Sequence, residues 1–459
     1  MSTQPPKKPW FGALRLLRFR RPQLRGVDRR LRRGVSVDDL RSIAKRRLPR
    51  GVFDYIDGGA EDEITMKSNV GAFGRVQFRP RVLRDVGDVD TASTLLGKPL
   101  PMPLTLAPTG FTRIADPAGE LAVARSAGRA GIPFSLSTLG TRSIEEVAAT
   151  GSSRLWFQVY VWRDRGLVAD LVARAAESGY EAICLTVDTP VLGKRERDVR
   201  RGFTLPPKLG LSTVIDGLAH PAWTWQFLRS EPILFANVAG REVGDGGEAI
   251  SLAEYVGRQF DPGLSWKDVE WLRGEWNGPI VIKGIQTVED AVIAADQGIE
   301  AIAISNHGGR QLDSAPAPLE LLPSVADAVG GRTELICDGG VRRGGDIVKA
   351  LALGATACMA GVPIYTVWVQ RGKPGSITCS TCSPPTCGEP WPSSVARPSK
   401  TSDGRASRYS QERAGHRTLL TCDYLVTYSA RAWIWCSEPS RIQHGEAFSM
   451  NCFARTGRR

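Results

Sequence analysis

The sequence predicts an α/β fold, a (β/α)8 TIM barrel. Three observations carry this: eight short apolar runs between about residues 100 and 361, a stretch of helical period between most of them, and polar residues gathered where the runs end. Runs that are apolar almost without interruption suit parallel strands covered on both faces. Eight β/α units in one chain favour a closed barrel over an open sheet. In such barrels the chemistry sits at the C-terminal ends of the strands.

Ahead of the barrel lies a basic segment, residues 1–35. Up to Arg33 it carries eleven Lys and Arg against one acid, Asp28, interleaved with Trp10, Phe11, Leu14, Leu16, Leu17 and Phe19. That mixture predicts contact of residues 1–33 with an anionic membrane surface, or an unstructured arm. The net charge of +12 does not point to nucleic acid, because no nucleic-acid fold motif accompanies it. No apolar run is long enough to span a bilayer, and the start shows no signal-peptide pattern. The expected location is cytoplasmic, peripheral on the inner face of the cytoplasmic membrane. Cys184, Cys337 and Cys358 fall in or beside apolar runs and read as core residues in a reducing compartment.

Residues 36–361 are the predicted barrel domain. A helix at Val37–Leu48, capped by Ser36 and ended by Pro49, precedes it. The strand candidates are Pro103–Ala107, Ile132–Ser137, Leu155–Tyr160, Ala182–Val187, Pro279–Lys283, Ala301–Ser305, Glu334–Cys337 and Thr356–Ala360. Gly119–Ala130, Arg165–Ser178, Val288–Gln297 and Gly345–Leu353 have helical period between turn signals. After the fourth strand the connection is too long, with an insertion at 202–262 before the next helix, Ser265–Gly274. It holds Trp223, Trp225, Phe227 and Phe235, then a Gly-rich polar patch, and its length predicts a lid or disorder.

The strand ends carry the candidate chemistry. Thr109, Ser137, Gln158, Tyr160, Thr186, Asp188, Lys283, Ser305 and Asp338 all fall where one pocket could collect them. The stretch Ser305-Asn306-His307-Gly308-Gly309-Arg310 puts a base and a fixed cation three residues apart on a loop loosened by glycines. That pairing suits a small substrate with both a carboxylate and an acidic proton. Asp188 is placed to support the protonated histidine, and Arg195 to share a carboxylate with Arg310. Asp338-Gly339-Gly340-Val341-Arg342-Arg343-Gly344 ends a strand and opens a helix, which favours a phosphate. Lys283, at the mouth beside it, suits negative charge on a bound cofactor.

These residues resemble the FMN-dependent α-hydroxy-acid dehydrogenase/oxidase family. The resemblance runs from about Val35 to Gly361 through several motifs: Phe53-Asp54-Tyr55 with Gly58-Gly59-Ala60-Glu61-Asp62-Glu63, Ala107-Pro108-Thr109-Gly110, Phe157-Gln158-Val159-Tyr160, Leu185-Thr186-Val187-Asp188-Thr189-Pro190, Ile282-Lys283-Gly284, and the two loops above. The long insertion and Pro133–Leu139 look most like the bacterial L-lactate dehydrogenase branch. The resemblance implies that His307 takes the substrate proton with Asp188 supporting it. It implies that Tyr55, Arg195 and Arg310 bind the carboxylate, while Tyr160 donates to the hydroxyl or nascent keto oxygen. Pro108, Thr109, Gly110, Ser137, Gln158, Thr186, Lys283 and Ser305 would contact FMN. Asp338, Gly339, Gly340, Arg342 and Gly361 would hold its ribityl chain and phosphate. Gly110 and Leu139 are expected to leave space beside the flavin for a larger hydroxy acid.

The implied reaction is oxidation of an L-2-hydroxy acid, with L-lactate expected, to the 2-keto acid. Electrons would pass to a quinone or the respiratory chain; the alternative acceptor is oxygen, giving hydrogen peroxide. A homo-oligomer is implied and no metal is expected, although Cys379, Cys382 and Cys387 imitate part of a zinc knuckle. From about residue 362 the pattern breaks. Where related dehydrogenases read Gly-Arg-Ala-Tyr-Leu-Tyr-Gly, this chain has Gly361-Val362-Pro363-Ile364-Tyr365-Thr366-Val367. Loss of one base from the arginine codon can turn the first sequence into the second. Residues 362–459 are therefore expected to be a frameshifted, unstructured tail, and an inactive product with an incomplete barrel is the competing outcome.

Overall fold

The computed structural model describes residues 34–80, 82–83, 89–151, 154–200, 210–238 and 259–361, with the backbone of three short strands beyond them. Eight parallel strands close into a barrel: β1 (Leu104–Leu106), β2 (Phe134–Ser137), β3 (Leu155–Val159), β4 (Ala182–Thr186), β5 (Ile280–Ile285), β6 (Ala301–Ser305), β7 (Glu334–Asp338) and β8 (Ala357–Ala360). Each pairs with its sequence neighbour, and β8 returns to β1. Most strands are buried along their whole length, the reason their sequences read as apolar runs rather than alternating ones. Trp156, Cys184, Val281, Ala303 and Ile336 belong to a separate inner cluster, distinct from the larger layer under the helices.

The N-terminal helices are α1 (Val37–Arg47), α2 (Arg50–Asp57) and α3 (Ile64–Arg75). Ser36 caps α1 by accepting from Asp39 N at 3.2 Å, and Asp38 and Asp39 sit in its positive first turn. The outer helices are α4 (Gly119–Ala130), α5 (Ile144–Ala148), α6 (Arg165–Glu177), α7 (Glu196–Arg200), α8 (Leu211–Ala219), α9 (Pro221–Arg229), α10 (Trp266–Glu275), α11 (Val288–Asp296), α12 (Pro318–Val329) and α13 (Gly344–Ala352). A hairpin, Ser93–Leu95 with Lys98–Leu100, precedes β1, and Arg154 donates to Leu95 O at 2.9 Å. Its two-residue turn, Leu96-Gly97, has both φ values positive (53° and 69°), a geometry that matches strand twist.

Two expectations change. Strand ends shift by a residue or two, most at β5, which runs on through Gly284 to Ile285. The insertion is not structureless: α8 and α9 lie within it. Pro221 starts α9 at a position where no N–H is needed, and Trp223 Nε1 donates to Ile114 O at 2.8 Å, pinning it to the barrel. The described residues beyond Gly361 form only the strands Leu419–Cys422, Glu438–Pro439 and Phe448–Asn451, the first pairing in parallel with Gln77–Pro80. The basic residues 1–33 and the knuckle-like Cys379, Cys382 and Cys387 lie outside the described residues.

Candidate active site

The histidine loop leaves β6 in a backbone conformation that only tertiary contacts can hold. His307, Gly308 and Gly309 have φ values of +57°, +69° and +76° in succession. A side-chain-bearing residue there is strained, a frequent mark of a functional position. α3 supplies the constraint. Asn69 and Asn306 exchange two side-chain hydrogen bonds, each 2.8 Å. Asp313 accepts from Ile64 N and Thr65 N at 3.2 and 2.8 Å, capping α3 from the far end of the loop. Gly309 is required because a Cβ there would lie 2.5 Å from Met66 N.

His307 Nδ1 meets Asp188 Oδ1 at 2.9 Å, which directs Nε2 away from the carboxylate. The Asp188 side chain is 1% exposed and that of His307 23%. Burial pushes the Asp188 carboxyl up, but the charges of His307 and Lys283 outweigh it and hold it below its ordinary value. Asp188 fits this close because residue 284 is glycine: a Cβ there would lie 2.7 Å from Asp188 Cβ. The β-bulge between Lys283 and Ile285 makes the turn, with Gly284 at φ +112°.

Lys283 is buried between two carboxylates. Its Nζ lies 3.1 Å from Asp338 Oδ2 and donates to Ser305 Oγ at 3.1 Å, while Ser305 Oγ donates to Asp338 at 2.8 Å. Burial opposes its charge, yet Asp338 and Asp188 together raise its pKa above the ordinary lysine value. Ser305 Oγ also accepts from His307 N at 3.1 Å, so the lysine and histidine are positioned by one hydroxyl.

Two arginines converge on Tyr55. The Arg195 guanidinium sits 5.0 Å from the centre of its ring and that of Arg310 5.7 Å. Arg310 donates to the carbonyls of Tyr55, Ile56 and Gly58 at 2.9, 3.1 and 2.6 Å, where a cation complements a helix C-terminus. Arg195 Nε lies 3.3 Å from Asp198 Oδ2. Tyr160 follows β3, its ring 5.0 Å from Phe260; burial, with Asp188's charge, raises its hydroxyl pKa and keeps it a neutral donor.

Gly339 and Gly340 take φ +123° and +85°, and a Cβ at Gly340 would strike Asn69 O at 2.2 Å. The N–H groups of Arg342 and Arg343 are not open to a ligand: both donate to Asp346 Oδ2 at 2.9 Å. The anion-seeking group here is the Arg342 side chain, half-buried, with its pKa lowered by burial and Val341 O as its one acceptor among the described residues. Gly361 follows β8 beside Ala107 and Thr109. Gly110 and Leu139 lie side by side, a Cβ added at Gly110 falling 3.0 Å from Leu139 Cβ. Pro108 leads β1 into this same mouth.

Asn69, Asn306, Asp313, Asp346 and Arg197 support the site without any signal in the sequence pattern. All but Asp346 act on partners more than a hundred residues away, which leaves no local pattern to find.

Residues 44–379 match the FMN-dependent dehydrogenase family. A Mycobacterium tuberculosis relative, provisionally named an L-lactate dehydrogenase, is 48% identical over 347 residues, covering 75% of this chain and 82% of its own. An L-lactate oxidase of Nostoc sp. is 45% identical over 74% of this chain and 89% of its own. The solved structure of the monotopic membrane protein (S)-mandelate dehydrogenase superposes with a TM-score of 0.70 at 39% identity, covering 74% of this chain and 89% of that one.

Proposed function

This chain belongs to the FMN-dependent dehydrogenases, and from that premise we propose that it oxidises L-lactate, or a closely similar L-2-hydroxy acid, to the 2-keto acid. One observation carries the reading: an Asp188–His307 pair at 2.9 Å stands at the barrel mouth that also holds the Arg195–Tyr55–Arg310 cluster. In this reading the cations and Tyr55 bind the carboxylate, and His307 Nε2 removes a proton from substrate while Asp188 stabilises the imidazolium. Tyr160, kept neutral, donates to the substrate oxygen.

The buried polar groups fit FMN. Thr109 Oγ1, Gln158 Nε2 and Thr186 Oγ1, at the ends of β1, β3 and β4, are buried without a hydrogen-bond partner among the described residues, which a polar ring edge would supply. FMN, when bound, supplies the two-electron acceptor that no side chain offers. Pro108, Gly110, Ser137 and Ser305 would line it, Lys283 would balance its negative charge, and Asp338, Gly339, Gly340, Arg342 and Gly361 would hold its tail and phosphate.

A quinone or respiratory-chain acceptor is part of the proposal, with a peripheral position on the membrane's inner face. Supporting it are the basic residues 1–33 and the exposed apolar side chains of α8 and α9, among them Leu211, Ile215, Leu218, Trp225 and Leu228. No helix among the described residues is long and apolar enough to cross a membrane. The 45% identity to an L-lactate oxidase favours a second reading, with oxygen as acceptor. Residues 1–35, 36–361 and 362–459 remain the proposed divisions, the last a frameshifted tail; an unbroken frame on resequencing overturns that. A homo-oligomer is also proposed.

The test is the absorption spectrum of the purified chain. Anaerobic L-lactate should bleach a flavin band, and reoxidation in air should be slow compared with reoxidation by a quinone. A colourless protein that takes up no FMN refutes the reading, and rapid reoxidation by oxygen selects the oxidase.

A further inference from the structure

The proposed carboxylate clamp is drawn from three separate parts of the chain, and one side chain outside it touches the supports of all three. Arg197 lies two residues beyond Arg195, on α7. Its Nη1 is 3.0 Å from Asp57 Oδ2 and 3.9 Å from Asp54 Oδ1, and its Nη2 is 2.5 Å from Glu63 Oε2. Asp57 and Glu63 are almost fully buried. Glu63 uses its other oxygen to accept from Gly59 N at 3.0 Å, and Asp57 also holds Arg41 through bonds of 2.5 and 2.7 Å.

The stem of Arg197 lies across Gly58: a Cβ added there would be 3.4 Å from Arg197 Cδ. Gly58 O is the carbonyl that Arg310 grips at 2.6 Å, and Tyr55 O and Ile56 O are its other two. The route is therefore continuous. Arg197 fixes the end of α2, that end fixes Tyr55 and Arg310, and the same short helix α7 fixes Arg195 over the Tyr55 ring. Glu61 N donating to Lys194 O at 3.0 Å closes the joint from the other side.

We propose that Arg197 is a positioning residue for substrate recognition, tying α7 to α2 so that Arg195, Tyr55 and Arg310 share one carboxylate-binding geometry; this rests on the clamp reading above. A planar guanidinium presents its donors in a rigid fork that sets the separation of the two carboxylates, whereas a lysine ammonium is a compact charge on a flexible stem that does not fix it.

Arg197→Met and Arg197→Lys, in the full FMN-loaded chain, test it. Both should raise KM for L-lactate, and the Kd of pyruvate read from the flavin difference spectrum, on the order of ten- to a hundredfold, with kcat changed much less. Arg197→Lys retains the positive charge between Asp57 and Glu63, so it should melt close to the wild type while KM stays high. In an Arg195→Met background, Arg197→Met should add less than about twofold, because both act on one unit. Unchanged KM and pyruvate Kd in a folded Arg197→Lys overturns the proposal and reduces Arg197 to a stabilising ion pair. Full multiplication of the two effects in the double variant overturns it as well. Unchanged KM in Arg195→Met alone removes the clamp reading, and the proposal with it.

Discussion

Replacing Asp188 with Asn tests the core of the site, because it keeps the shape and removes the charge. Asp188 is buried, stands 2.9 Å from His307 Nδ1 and is held ionised by His307 and Lys283. An imidazolium that forms as the substrate loses its proton would meet a full negative charge there. Two unit charges in contact in a partly buried site interact by about 4 kcal/mol. At about 1.4 kcal/mol per decade that is on the order of a thousandfold in rate. Among the described residues Asp188 Oδ2 has no hydrogen-bond partner, so an amide placed there gains little in return. The expected result is a rate constant for flavin reduction by L-lactate, measured by stopped flow without oxygen, lower by about 10³. Substrate affinity should change by less than about fivefold, since the carboxylate is gripped elsewhere. The flavin content of the variant must match that of the wild type. A reduction rate within about tenfold of the wild type would refute the reasoning, because the charge would then contribute less than half the expected energy.

Three further outcomes are expected. Asn306→Ala strands the buried Asn69 amide and should cost about 1–3 kcal/mol in a denaturant melt; it should also slow flavin reduction, since the same pair holds the histidine loop. Gly340→Ala places a Cβ 2.2 Å from Asn69 O at φ +85°, so the purified protein should lose most of its FMN; a wild-type flavin-to-protein ratio would contradict the assigned role of that turn. Arg174 holds Glu145 down to about 2 from an ordinary 4.5. A depressed carboxylate stabilises the fold above its unfolded value, and that contribution disappears as pH falls from 4.5 towards 2. Glu145→Gln should therefore lower the melting temperature slightly near neutrality, the pair being half exposed and screened, and the difference from the wild type should vanish as pH falls towards 2.

The pocket shows a division of labour that the motifs alone do not express. One hydroxyl, Ser305 Oγ, touches the Lys283–Asp338 pair and the His307 backbone, so the side expected to face the cofactor and the side expected to face the substrate share a hinge. The substrate side is supported from outside the barrel, by α2, α3 and α7. Loosening α2 or α7 is therefore expected to affect recognition more than electron transfer, whereas α3 holds the histidine loop and bears on both.

The sequence by itself determined the barrel, because strand burial on both faces and helical period are local properties written in every unit. It also places His307, Lys283, Asp188 and Asp338 at or just after strand ends, which makes them candidates before any fold is known. Only the tertiary structure decided how they are held. The bulge after Lys283 and the absent side chain of Gly284 set the Asp188–His307 distance, and neither is visible from strand pattern. The helices of the insertion, the Asn69–Asn306 pair, the Asp313 cap and the Arg197 tie all depend on partners remote in sequence. Hydrogen bonds of that kind carry no periodicity. They exist only once the closed barrel has brought its mouth against the N-terminal helices, and that closure is what turns a row of strand-end residues into a site.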